Sequence, residues 1–253
     1  MSGLYEELKT LLDQQQGAAL ATVVRGPHHI GAKLLLYPNQ SVHGSLGRAD
    51  LDALAVADAA QAIWRGDADT HTYEVKDGTE TQTFAVFIEG FPPPPELIIV
   101  GAGHIAIPLT TIARTLGYHV VVIDARSAFA TRERFPDADE LIVAWPDEIL
   151  AQRTLTPASA VAILTHDPKF DEPTLTVVLK RHAGYIGAIG SRKTSAERAQ
   201  RLKRQGLSDE QLALIHGPIG LNIGATTPEE IALAIMAEIV AFRHGRTDQN
   251  VHG

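Results

Sequence analysis

Four consecutive prolines, Pro92, Pro93, Pro94 and Pro95, constrain the fold of this chain more than any other feature. Each locks its φ at about −65° and lacks a backbone donor, so the run can continue neither a helix nor a central strand. The expected organisation follows from that break: residues 1–91 as one domain, 92–95 as a linker, 96–245 as a second domain, and 246–253 as a flexible tail.

The two sides of the break carry different rhythms. Leu4, Leu8, Leu11 and Leu12 give residues 4–14 an apolar helical stripe that needs a sheet to dock on. Residues 18–24 and 32–37 are apolar runs parted by Gly26, Pro27 and Gly31 and read as strands, and 49–64 reads as a helix. Asp77-Gly78 joins two alternating stretches, 70–76 and 81–89, as a hairpin would. Past the prolines, apolar strands at 97–100, 119–123, 141–144, 160–164 and 185–189 alternate with helices at 105–116 and 172–182. Further helices are expected at 195–205 and 228–244. Strands that apolar must be buried on both faces, which means a parallel sheet. The predicted class is α/β: a Rossmann-like parallel sheet in the C-terminal domain, with a smaller α+β N-terminal domain.

Hydrophobic residues at 45% and charged ones at 21% are those of an ordinary globular protein. A net charge of −8 opposes attraction to phosphate backbones, so nucleic acid is not an expected partner. The absence of cysteine removes disulfides, thiolate metal ligands and a persulfide relay on the protein itself. Residues 1–10 lack a signal-type apolar region and no apolar run approaches the ~18 residues a membrane helix needs, which makes a soluble, cytoplasmic protein the expectation.

Gly101-Ala-Gly103-His-Ile-Ala106 follows one apolar strand directly and opens a helix, the context that gives a glycine pattern meaning. Gly101 suits the tight turn, Gly103 lets a pyrophosphate approach the backbone, and the helix start offers it free N–H groups. Asp124 ends the next strand, where a carboxylate can accept from ribose hydroxyls, while Arg126 beside it could serve a 2′-phosphate or simply be solvated. His166 and Asp167 follow another strand at the edge where open α/β sheets place ligands; they are an acid/base pair or, equally, a capped turn before Pro168. Gly190-Ser191-Arg192-Lys193 places a hydroxyl and two cations at a helix start, and cations there oppose the dipole unless an anion is near. Asn222 and Gly224 lie in a glycine-dense loop ahead of Thr227-Pro228-Glu229-Glu230, a capping box with proline at its first helical position. The two anion grips, at 101–106 and near 191, are expected to face one hollow.

The stretches LIIVGAGHIAIPL, VVVIDARSAFATRERFPDADE, ILTHDPKFDEPTL, YIGAIGSRKT and HGPIGLNIGATTPEEIALAIMAEI together resemble the C-terminal domain of the XdhC/CoxI family, over residues 97–243. The resemblance implies a dimeric cytoplasmic accessory protein rather than an enzyme. Such a protein binds molybdenum cofactor (molybdopterin) as transient cargo, assists its sulfuration by a cysteine desulfurase, and delivers it to an apo molybdenum hydroxylase of the xanthine dehydrogenase type. Position by position, it implies a cofactor site at Gly101, Gly103, His104, Asp124, Arg126, His166, Asp167, Gly190, Ser191, Arg192 and Asn222, with no catalytic residue and no metal ligand. In the N-terminal half the chain departs from the family: Arg25-Gly-Pro-His-His29 replaces its Gly-Ser-x-Pro-Arg stretch, and Arg48-Ala49-Asp50 replaces its glycine triplet and cysteine. His28, His29 and His43 are the residues that could compensate there. Two other readings compete: an NAD(P)-dependent oxidoreductase using His166 and Asp167 as a proton relay, and a nucleotide-sensing module without chemistry.

Overall fold

A computed structural model describes residues 3–181 and 183–246. Most of the expected tail, and residue 182 at the end of one expected helix, therefore lie outside the described residues. The chain divides into two compact units, Met1–Pro94 and Pro95–Gly253.

The first unit is a five-stranded antiparallel sheet in the order β3-β2-β1-β5-β4, formed by β1 (Ala18–Arg25), β2 (Lys33–Leu36), β3 (Val42–Ser45), β4 (Ala68–Asp77) and β5 (Glu80–Phe91). Strand β3 has no counterpart among the elements expected from the sequence; its four residues are all exposed, so no alternation of burial marks it. Helix α2 (Ala49–Arg65) buries Leu51, Ala55, Ala59 and Ile63, packing into one cluster with Val23, Leu34, Phe84, Val86 and Ile88 from the strands. The small side chains let the helix close in: a Cβ at Gly90 of β5 would stand 1.9 Å from the Ala62 carbonyl oxygen. Helix α1 (Gly3–Asp13) buries Leu8 and Leu11 in a separate cluster with Ala18 and Leu35. His28, His29 and His43 do not assemble as ligands: His28 and His29 meet edge to face at 4.5 Å, and His43, in β3, is tied to Glu7 at 2.5 Å. Among the described residues no three His, Asp or Glu side chains converge to hold a metal.

The second unit is a six-stranded parallel sheet in the order β11-β10-β9-β6-β7-β8. Its strands are β6 (Glu96–Val100), β7 (His119–Ile123), β8 (Glu140–Ile142), β9 (Ser159–Ile163), β10 (Tyr185–Ala188) and β11 (Ile215–His216). The first strand, β6, lies between β7 and β9, so the chain winds outward in both directions from that point. Strands β6, β7 and β9 are buried almost throughout because the sheet carries a core on each face. One cluster joins Leu97, Ile99, Val120 and Val122 to α3 (Ala106–Thr115) and α8 (Pro228–Arg243). The other joins Ile98, Val100, Val121 and Ile163 to α4 (Pro146–Gln152), α5 (Pro168–Val178) and α6 (Arg192–Arg204).

Five elements of this unit differ from expectation for identifiable reasons. Helix α5 starts four residues early because the Asp167 side chain accepts from the Lys169 amide and Pro168 sits in the first turn, which outweighs having Pro173 inside the helix. Helix α6 starts at Arg192 because Ser191 caps it through the Thr194 amide. Helix α4, the one-turn α7 (Asp209–Leu212) and the two-residue β11 are too short to show a period in the sequence.

The amino edge of this sheet is held by ions. Arg153 donates to Glu140 at 2.8 Å and to Glu96 at 2.5 Å, and His119 reaches Glu140 at 3.0 Å. Arg153 and His119 draw the Glu140 carboxyl down to about 2. A carboxylate with a depressed folded pKa stabilises above its unfolded value and loses that contribution as pH falls through the folded one. Stability is therefore expected to decline between pH ~4.5 and ~2 partly through Glu140, and Glu140→Gln to flatten that decline in urea titrations. The side chain is 39% exposed, so the contribution is modest, about 1 kcal/mol.

Candidate functional site

The carboxyl ends of β6, β7, β9 and β10 carry all the residues singled out from the sequence except Asn222, which lies between β11 and α8, because a parallel sheet brings its strand ends to one edge. Between β6 and β9, where the winding reverses, the turn after β6 starts with Gly101 at φ 103°. A Cβ there would also stand 2.5 Å from Thr165 Cγ2 and 3.1 Å from the Thr165 nitrogen, so glycine is required twice over. Gly103 is different: a Cβ would meet nothing within 4 Å. Packing does not demand a glycine at 103, yet this residue forms part of the wall of a hollow of about 470 Å³ together with Arg126, Phe129, His166, Asp167 and Phe170. In the first turn of α3 the Ala106 and Ile107 amides have no carbonyl behind them within the helix, while Pro108 has no amide hydrogen to offer.

Asp124 sits behind this turn rather than in the hollow. It is 3% exposed, and both its oxygens are engaged: Oδ2 accepts from the Ala102 amide and Arg126 Nη2, each at 2.8 Å, and Oδ1 accepts from the Arg126 amide and Nε, each at 2.9 Å. Burial pushes the carboxyl up, but the bonds from Arg126 and Ala102 outweigh it and hold the group below its ordinary value. A ribose hydroxyl could reach this carboxylate only by displacing Arg126. Its observed work is to pin the glycine turn and aim the arginine. The Arg126 guanidinium then lies over the Phe129 ring at 4.4 Å and 5.8 Å from the Phe170 ring, and Phe170 stacks on Trp145 at 4.9 Å. One wall of the hollow is thus a planar cation backed by aromatic rings, a surface suited to a flat heteroaromatic group.

The other expected residues are divided: His166 and Asp167 line this hollow, and the rest lie away from it. His104 is exposed at the start of α3 and does not line the hollow. Asp167 lines it while its Oδ1 caps α5 at 3.0 Å from the Lys169 amide, so the capped-turn reading accounts for much of that carboxylate. The Ser191 hydroxyl, read as an anion ligand, instead accepts from the Thr194 amide at 3.1 Å and lies 3.0 Å from the Thr194 hydroxyl. Gly190 and Ser191 line neither hollow, whereas Arg192 and Asn222 line a second one of about 780 Å³. The two hollows share no lining residue. The grip at 101–106 and the residues near 191 therefore do not face a common cavity, which corrects the single-hollow expectation.

Residues 97–239 match the family model of the XdhC Rossmann domain, and residues 11–74 match that of the XdhC and CoxI family. The chain belongs to the XdhC and CoxI family. XdhC-type relatives include a probable xanthine dehydrogenase subunit of Bacillus subtilis, 36% identical over 162 residues, covering 64% of this chain and 47% of that protein. The molybdenum cofactor insertion chaperone PaoD of Escherichia coli is 27% identical over 157 residues, covering 62% of this chain and 43% of its own. The chain thus spans about half the length of the curated relatives it matches. The crystal structure of a Bacillus halodurans xanthine dehydrogenase is similar at a TM-score of 0.55 and 23% identity, over 96% of each chain, and shows the shared fold.

In this XdhC-type domain the structure adds residues that sequence reading passed over. Asp171 and Arg198, each 3% exposed, form a buried pair at 3.3 Å directly behind the Thr165 and Gly190 loops. Burial pushes the Asp171 carboxyl up, against the pull of Thr165 and Arg198. Glu238, 8% exposed, was the more legible of the omissions: it interrupts the apolar face of α8 between Ile235 and Ile239.

Proposed function

We propose that this protein is an accessory factor for a molybdenum hydroxylase of the xanthine dehydrogenase type, holding molybdenum cofactor as cargo in the hollow at the β6–β9 switch point. The observation that carries this is Gly103: a glycine with open space at its Cβ position, on a cavity wall beside an arginine stacked on phenylalanine. Neither packing nor a positive φ explains glycine there, whereas the close approach of a phosphate does. The Arg126 and Phe129 wall suits the pterin ring or the base of an attached nucleotide, and the volume is within the range of small-molecule sites. Family membership supports the reading, as do the names of the relatives, one a cofactor insertion chaperone and another a probable xanthine dehydrogenase subunit.

The cargo is gripped at one anionic end only, since the residues near 191 serve a different cavity. Sulfuration by a cysteine desulfurase, delivery to the apo-enzyme and a homodimeric assembly belong to the same proposal. With no cysteine in the chain, the sulfur donor is a partner protein. A nicotinamide-dependent oxidoreductase has less support, because Asp124 is consumed by Arg126 and Asp167 by a helix cap.

The test has two stages. Protein mixed with molybdenum cofactor released from a molybdoenzyme should retain pterin through gel filtration, detected by fluorescence after oxidation. Apo-hydroxylase given cofactor and a sulfur donor should then activate faster with the protein than without it. Failure to retain pterin, or equal activation in both arms, overturns the proposal.

A further inference from the structure

The hollow of about 780 Å³ beside β10, β11 and α8 has chemistry of its own. Its wall brings together Arg192, His216, Asn222 and Glu238. His216 is not a loose surface ring: Nδ1 lies 3.3 Å from Glu238 Oε1, and ring centroids of Tyr185 and Phe242 stand 4.6 and 5.2 Å away. Glu238 is itself clamped, its Oε2 accepting from the Gly220 amide at 2.6 Å and from the Tyr185 hydroxyl. A carboxylate fixed in this way sets the orientation of the imidazole and turns Nε2 into the nitrogen left for a ligand. Gly217 also forms the wall, and a Cβ there would come 3.0 Å from Ser195 Oγ, a buried hydroxyl with no hydrogen-bond partner among the described residues.

Apolar packing does not call for a charge at 238: an aliphatic residue would complete the stripe of Ile231, Ile235 and Ile239, and what Glu238 does instead is accept from the Gly220 amide and hold His216. A histidine oriented by a buried carboxylate, in a cavity that also holds an exposed arginine and an amide, is the makeup of a polar binding site.

We propose that this hollow is a separate site for a small molecule bearing a phosphate or carboxylate head group, in which Arg192 takes the anionic oxygens and His216, oriented by Glu238, hydrogen-bonds the same group. The site shares no residue with the cargo hollow, so it stands or falls independently of the function proposed above.

The test is histidine-ring NMR of the full chain during titration with inorganic phosphate and, separately, acetate, at constant ionic strength. Among 11 histidines, the His216 signal is identified by its loss in His216→Gln. Its resonance is expected to move saturably, while Arg192→Gln weakens the apparent affinity at least about tenfold, as loss of a charge-assisted contact should. The probe that saturates at lower concentration identifies the head group. Gly103→Ala should leave the response intact. No saturable movement with either probe, or an unchanged response in Arg192→Gln, overturns the site.

Discussion

Gly103→Ala is expected to leave stability within about 0.5 kcal/mol of the parent and to weaken retention of molybdenum cofactor tenfold or more, whereas Gly101→Ala is expected to destabilise the second unit by several kcal/mol. The two residues are neighbours in one turn, and their surroundings differ. At Gly101 the backbone has φ 103°, a region in which an L side chain is strained, and the added methyl would press on Thr165 Cγ2 at 2.5 Å and on the Thr165 backbone. Turning Thr165 away would cost its hydroxyl the bond to Asp171, and no side-chain rotation relieves the contact with the Thr165 nitrogen, so the strand ends of β6 and β9 must shift apart. At Gly103 the methyl meets nothing of the protein within 4 Å and intrudes only on the hollow. Urea unfolding of both variants, read beside pterin retention, separates the two effects. Weakened retention by about tenfold corresponds to roughly 1.4 kcal/mol, the low end of what an intruding methyl costs in a close contact. Equal retention by Gly103→Ala and the parent would remove the reason for placing the cargo at this turn.

The contrast between these glycines also marks what a sequence can disclose. Strand β7 has the ends read from its apolar run, and β6 begins one residue before them, because a buried parallel strand is an uninterrupted hydrophobic segment and the glycine turn punctuates it. The turn was legible for the same reason. Asp124 was placed correctly at the strand end, yet its partners were not foreseen: whether a carboxylate faces a ligand or its own loop depends on where Arg126 folds back, which no spacing rule encodes. Ser191 and Asp167 show the commoner outcome for a short polar residue before a helix, which is to cap it. Reading them as ligands required the local backbone to have other partners. The single-hollow expectation failed at the tertiary level, since adjacency of strand ends along an edge does not determine which loops rise between them.

The buried Asp171 and Arg198 pair escaped sequence reading because α6 looks solvated throughout, with Arg192, Lys193, Arg201, Lys203 and Arg204 along it. Its importance is expected to appear as a loss of about 3–5 kcal/mol in Arg198→Leu, the cost of leaving a carboxylate buried without its cation. Arg198 Nη2 donates to the Ile189 carbonyl at 2.6 Å and to Asp171 Oδ2 at 3.3 Å, and the Thr165 hydroxyl donates to Asp171 Oδ1. One guanidinium therefore ties the end of β10 to α5 and, through Asp171, to the loop that follows β9. Burial already raises the Asp171 carboxyl, and removing the cation raises it further. A carboxyl whose folded pKa lies above its unfolded value binds more protons when folded, so stability falls as pH rises from the unfolded pKa through the folded one. Arg198→Leu should accordingly be less defective in mild acid than at neutral pH, with a steeper dependence than the parent. The double variant Arg198→Leu with Asp171→Leu removes the stranded charge and should recover more than half of the lost stability in urea titrations. A single-variant loss below about 1 kcal/mol, or a double variant no more stable than the single, would mean that the pair is solvated and that the two loops are held by packing alone.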